Sequence, residues 1–270
     1  MIGYRPVEAQ DLPGLSYCLL FDSKLEKEAF LSTDDIHCDP LTFLLAYDSK
    51  VDSLKYKAVR NELYGYSEKL LRKKKRSDGE LEFLKYVFKN VHQKYLKDYR
   101  VDETFTGVFN TGRYNCISGT ALYACILDLL GYKSVIYETR YHIFLLVKTD
   151  SAKILFEATD PVRGFVAGNK AVSSRVTGYL KNERQQLTDG GTLSAPFNAN
   201  DILEAVNLKE LAGLHYYNIG MHLINQQNYY DAFRALKKAS ILYPRSERIK
   251  DFLQYTSSKY DWQLSSVFDK

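Results

Sequence analysis

Apolar and polar positions alternate along this chain in three regimes. Up to about residue 100 the apolar residues recur at helical spacing, as in the stripe Leu81, Leu84, Val87, Phe88 and Val91. Helices are expected over 41–47, 53–76 and 80–99, with His92 closing the stripe as a packing residue. From 136 to 148 the run is rich in Tyr, Ile, Phe, Leu and Val and reads as one strand. A second strand is expected over 153–159, with Thr149, Asp150 and Ser151 as the turn between them. After Gly164 comes a mixed stretch with turn signals at 188–192 and 195–198, read as a surface connector or a wall of a site. Near residue 200 the helical period returns.

Between the first two regimes, Ile117, Ala121, Leu122, Ala124, Cys125, Leu129 and Leu130 form a helical stripe that Gly131 ends. Asn115 is the expected N-cap, which leaves Cys116 in the first turn. Free N–H groups and the helix dipole stabilise a thiolate there, and a nearby imidazolium lowers the thiol pKa further. The same N–H groups can hold an oxyanion. Cys125, nine positions on, points away from Cys116 toward a core.

The simplest hairpin, centred on Ser151, sets Lys148 opposite Ile154, Leu146 opposite Phe156, Phe144 opposite Ala158 and His142 opposite Asp160. Opposed residues share a face, so this register brings an imidazole to a carboxylate. A slip of one residue breaks the pairing. Thiol, imidazole and carboxylate in that order are the parts of nucleophilic cysteine chemistry, with Cys116, His142 and Asp160 as the candidates.

At these residues the chain resembles the transglutaminase-like superfamily. The resemblance rests on GRYNCISGTALY at 112–123, LGY at 130–132, YHIFL at 141–145 and EATDPVRG at 157–164, and covers roughly residues 85–170. It implies an α+β fold with a papain-like core, in which a helix packs on an antiparallel sheet. It also implies acyl transfer or amide hydrolysis through a thioester, with Cys116 as nucleophile, His142 as base and Asp160 as orienting carboxylate. A protein or peptide is the implied substrate, and no metal or organic cofactor is required. A side-chain donor for the oxyanion hole is not evident; Asn110, Tyr114 and Asn115 are the nearby candidates.

The C-terminal part resembles a single tetratricopeptide repeat over 213–244. Tyr216, Ile219, Gly220, Leu223, Tyr229, Ala232, Leu236, Ala239 and Pro244 stand at its signature positions. A further helix is expected over 246–260. One repeat cannot bury its own apolar face, so it serves either as a buttress on the core or as a docking surface for a protein partner. Three regions are thus expected: a helical 1–100, a catalytic 101–200 and a helical 201–270.

Composition changes this picture little. Hydrophobic residues make up 45%, enough for a sizeable core, and no apolar run is long enough to span a membrane. A net charge of +4 argues against dedicated nucleic-acid binding. The basic run Arg72, Lys73, Lys74, Lys75 and Arg76 reads as a solvated helix end. The four cysteines lack metal-ligand spacing; Cys38 beside His37 is no metal site, and a Cys18–Cys38 disulfide stays open for an exported protein. No signal peptide is visible at the start of this chain, so a cytoplasmic location is the default expectation. The 22 tyrosines, including Tyr123, Tyr132, Tyr137 and Tyr141 near the site, suit a groove or a half-buried surface equally. The alternative to an enzyme is an inactive or weak member of the same fold that acts as a scaffold or binding module.

Overall fold

A computed structural model describes residues 19–35, 37–188 and 203–268. The chain is α+β, and each element begins where a local signal places it. Helix α1 (Lys24–Leu31) is capped by Ser23, whose side chain accepts from Glu26 N–H. Asp39 caps α2 (Pro40–Ala46) and Asp52 caps α3 (Ser53–Lys74) in the same way. Helix α4 (Glu80–Tyr95) starts after Gly79, which sits at φ +122°. The expected 80–99 helix therefore stops early, and Asp98–Tyr99 becomes a short strand, β1. After α5 (Phe105–Asn110), β2 (Arg113–Tyr114) pairs with β1 in parallel, setting Tyr99 beside Tyr114.

Helix α6 (Cys116–Leu129) ends as the sequence implies. Gly131 takes φ +81°, and the N–H groups of Gly131 and Tyr132 return to Asp128 and Leu127 carbonyls. Four strands follow: β3 (Ser134–Glu138), β4 (Ile143–Lys148), β5 (Lys153–Phe156) and β6 (Phe165–Ala167). Next come α7 (Asn169–Thr188), β7 (Glu204–Val206), α8 (Leu208–Asn225), α9 (Tyr229–Leu242) and α10 (Glu247–Phe268). The antiparallel sheet has the order β6-β5-β4-β3-β7.

Three expectations need correction. The 136–148 run is two strands, because the chain reverses at Arg140 and Tyr141, where Thr139 N–H donates to the His142 carbonyl. The β4–β5 hairpin is one residue out of the expected register: Lys148 faces Lys153 and Leu145 faces Phe156. Its loop holds four residues, closed by Thr149 N–H on Ala152 O and Ala152 N–H on Thr149 Oγ1. The stretch after Gly164 is not a connector but β6 and the long helix α7. The turn signals at 189–192 and 195–198 lie outside the described residues, as does Cys18 of the proposed Cys18–Cys38 link.

Alternation along the strands gives the sheet two apolar faces. Leu145, Val147, Ile154 and Phe156 join the main core with α6 and α4, where Phe88 contacts Tyr123, Phe156 and Phe165. Phe144 and Leu155 face the other way, against Val172 and Tyr179 of α7. His92 is buried against Phe88, Tyr114 and Tyr123, as a packing residue should be. The basic end of α3 is held by Lys74 over the Tyr132 ring and Lys73 over Tyr86.

The C-terminal helices share this core. Gly220 lets α8 approach α9 closely, since a Cβ there would lie 2.7 Å from Leu236 Cγ. Strand β7 attaches the helices to the sheet edge beside β3, and α8 packs on α2 and α6. Lys238 is buried 2.7 Å from Glu26, which also accepts from Tyr216 Oη at 2.8 Å, so α1 is tied to α8 and α9. Among the described residues, no helix is long and apolar enough to cross a membrane.

Candidate active site

The site begins with a helix start. Asn115 is extended, accepts from Ser118 N–H on its side chain and donates its own N–H to Ser118 Oγ. This capping box leaves the N–H groups of Cys116 and Ile117 outside the helical ladder, where they favour the Cys116 thiolate. Burial nevertheless pushes the thiol up to about 11; those N–H groups act against it, and the Glu157 and Glu138 carboxylates add to the rise. The resting thiol is therefore protonated, the reverse of the low-pKa thiolate expected from the helix dipole alone.

His142 sits at the foot of β4, locked by its backbone N–H on Thr139 Oγ1 at 2.9 Å. Its ring stacks on Tyr179 of α7, with centroids 4.4 Å apart. Its Nδ1 lies 3.7 Å from Oε1 of Glu157, an ion-pair distance longer than a good hydrogen bond. Glu157 is buried and also receives hydrogen bonds from Tyr179 Oη and, at 2.8 Å, from Thr159 Oγ1. Burial raises its pKa, but the donors and His142 outweigh it and hold the carboxyl below its ordinary range.

Asp160 is placed differently. Its Oδ1 accepts from the N–H groups of Val162 and Arg163, and its Oδ2 lies 3.8 Å from Arg175. It shapes the loop before β6, and the cross-strand pairing of His142 with Asp160 is corrected by the register. In that register His142 shares its face with Phe144, and Glu157 follows directly on β5. Gly164 permits the tight loop, since a Cβ there would lie 2.2 Å from the Glu157 carbonyl.

Cys116 and His142 line one cleft of about 290 Å³. The tip at Thr139, Arg140 and Tyr141 forms one side; Leu214, Tyr217, Asn218 and Met221 of α8 and Phe252 of α10 form the other. Arg248 of α10 pairs with buried Glu138 across its base. The repeat-like helices thus supply a wall of the cleft.

Of the three oxyanion candidates, Asn115 spends its amide on the carbonyls of Val101 and Glu103, at 3.0 and 2.9 Å. Asn110 is exposed at the end of α5 and held by Lys55. Tyr114 is buried, with its ring edge-on to Tyr99 and His92. Tyr99 stands edge-on to Tyr114, and burial raises its hydroxyl pKa, with the neighbouring Cys116 thiol adding to the rise. Cys125 packs against the core, and burial raises its thiol to about 12. Among the described residues no three His, Cys, Asp or Glu side chains group as a metal site.

Sequence reasoning missed Glu157 and Tyr179. Glu157 lies within the motif that directed attention to Asp160, so only the register separates them. Tyr179 lies in a polar stretch and carries no local signal. Comparison with family models, curated proteins and solved structures found no match.

Proposed function

We propose that this chain is a cysteine-dependent enzyme that hydrolyses amides or transfers their acyl groups through a thioester. The observation that carries this reading is one cleft lined by a first-turn cysteine and by a histidine backed by a buried, hydrogen-bonded carboxylate. Cys116 acts as nucleophile and His142 as base, while Glu157 takes the orienting role first read at Asp160. The finer fold reading is a papain- or transglutaminase-like core, supported by the order of helix-start Cys, strand-foot His and strand-end carboxylate.

With the thiol pushed up by burial, Cys116 gives its proton to His142 as Sγ attacks the carbonyl carbon, rather than standing as a preformed ion pair. The imidazolium is then held by Glu157 and passes the proton to the leaving amine. Water resolves the thioester in hydrolysis, and a primary amine resolves it in transfer. The cleft between the Thr139–Tyr141 turn and the α8 and α10 side chains is large enough for a short peptide segment, so a peptide or protein is the substrate proposed.

The test is turnover of a peptide-amide panel, with and without an added primary amine. Loss of turnover in Cys116→Ala supports the reading; turnover that survives the substitution sinks it. The raised thiol favours a second reading, a scaffold in which the cleft binds without reacting. Saturable peptide binding unchanged by Cys116→Ser, with no thioester trapped in the wild type, would support that one.

A further inference from the structure

We infer that Tyr179 is the positioning residue of the base, its hydroxyl holding the Glu157 carboxylate and its ring the His142 imidazole; the inference rests on the nucleophilic reading of Cys116. Glu157 is 4% exposed. A carboxylate so far from water stays charged only where donors replace the water. Two side chains do this: Thr159 Oγ1 donates to Oε1 at 2.8 Å, and Tyr179 Oη donates to Oε2. Each oxygen has its own donor, and Oε1 also faces His142 Nδ1 at 3.7 Å. Burial, with the carboxylate adding to it, raises the phenol pKa of Tyr179, so the hydroxyl keeps its proton. The ring of the same residue lies on His142, with centroids 4.4 Å apart and planes 22° from parallel. One side chain thus touches both the base and its counter-charge.

Helix α7 delivers this side chain. Val172 and Tyr179 stand two turns apart on one face, and both dock on Phe144 and Leu155 of the sheet. One turn before Tyr179, Arg175 donates to the Arg163 carbonyl at 3.1 Å and lies 3.8 Å from Asp160. Asp160 therefore anchors the helix that carries Tyr179, so the 157–164 motif serves the base twice, through Glu157 directly and through α7. When Cys116 gives its proton to His142, the imidazolium formed needs Glu157 ionised. Without the Tyr179 hydroxyl, Oε2 is buried unpaired, which favours the neutral acid. The other ionisable groups around the pair are Cys116, Tyr99, Arg140, Tyr141, Asp160 and Arg175, and Tyr179→Phe replaces none of them.

Two measurements on Tyr179→Phe, which keeps the ring and removes the donor, test this. The first is the titration midpoint of the Glu157 carboxyl, followed by carbon NMR of Glu-labelled protein and assigned by the signal lost in Glu157→Gln. The second is acylation of Cys116 by p-nitrophenyl acetate at neutral pH, read by peptide mass. The midpoint should rise, and acylation should fall about tenfold or more. A ring-fluorinated tyrosine at 179 keeps the shape and is a stronger donor, so it should move the midpoint down; this arm stands even if Tyr179→Phe does not fold. Slower acylation with an unmoved midpoint overturns the inference, because Tyr179 is then packing alone. Unchanged acylation overturns it whatever the midpoint does. A shifted midpoint in a protein whose wild type is never acylated at Cys116 sinks the nucleophilic reading instead and leaves the hold of Tyr179 on Glu157 supported.

Discussion

Glu157 Oε1 lies 3.7 Å from His142 Nδ1, and Tyr179 binds both residues, stacking on the imidazole and donating its hydroxyl to the carboxylate. Three elements, β4, β5 and α7, thereby meet on one imidazole. These contacts fix the orientation of the ring.

Glu157→Gln should therefore lower acylation of Cys116 on the order of a hundredfold, by removing the charge that holds the imidazolium. Asp160→Asn, which alters the 160–163 loop and its ion pair with Arg175, should change it a few-fold at most. Acylation rates of the two purified variants, measured side by side, check this. A larger loss in Asp160→Asn would return the role to that residue.

Alkylation of Cys116 should rise with pH toward about 11 and show no plateau near pH 6. A thiol of that pKa is ionised in only about one molecule in 10⁴ at pH 7. The sign follows from burial, which disfavours the thiolate and is only partly opposed by the N–H groups of Cys116 and Ile117. Iodoacetamide labelling against pH, read by mass spectrometry, decides it; fast labelling at pH 6 would mean an ion pair with His142.

Gly119→Ala should loosen the site. An added Cβ would lie 2.8 Å from Ala158 Cβ and 3.1 Å from Tyr114 Cδ2, so α6 must move off the end of β5. The expected cost is about 1–3 kcal/mol, with slower acylation, because Glu157 adjoins Ala158. Urea unfolding of the variant gives the first number. A neutral result would show that α6 can shift without strain.

The fold should weaken in acid from near pH 6.5 downward. Full burial lowers the His215 pKa to about 3 from its ordinary 6.5, and its Nε2 has no hydrogen-bond partner. The unfolded chain takes up the proton first, so this contribution is whole above pH 6.5 and lost as pH falls toward 3. At 1.36 kcal/mol per unit it amounts to at most about 5 kcal/mol. His215→Phe, which keeps a ring against Tyr47, should flatten the melting temperature between pH 6.5 and 4. An equally steep decline in the variant would assign the acid limb to other groups. Glu157 acts at lower pH: its depressed pKa stabilises the fold above about 4.5 and ceases to as pH drops through its folded value.

Some of this architecture is written locally. Asn115 and Gly131 bracket α6 because a cap and a left-handed terminator act on atoms three to five residues away. The small residues at Gly220, Ala232 and Ala239 mark the α8–α9 contact for a similar reason, since only small side chains admit a close helix. The hairpin register was not legible. It turns on whether the loop after Lys148 spends five residues or four, and the Thr149 side chain, bonded to Ala152 N–H, settles on four. Nor was α7 legible. Its sequence is largely polar, and the helix docks through Val172 and Tyr179 on a sheet face set by strands far back in the chain.

The sequence by itself determined that a cysteine opens a helix, that a histidine follows at a strand, and that a carboxylate comes after it. Tertiary structure decided which carboxylate meets the histidine, which tyrosine stacks on it, and that the C-terminal helices wall the cleft. The physical reason is range. Capping and turn chemistry act between neighbours in sequence, whereas side-chain partners follow from strand register and packing across long separations. The same burial reversed the expected thiol shift, because desolvation of Cys116 outweighs the dipole of its own helix.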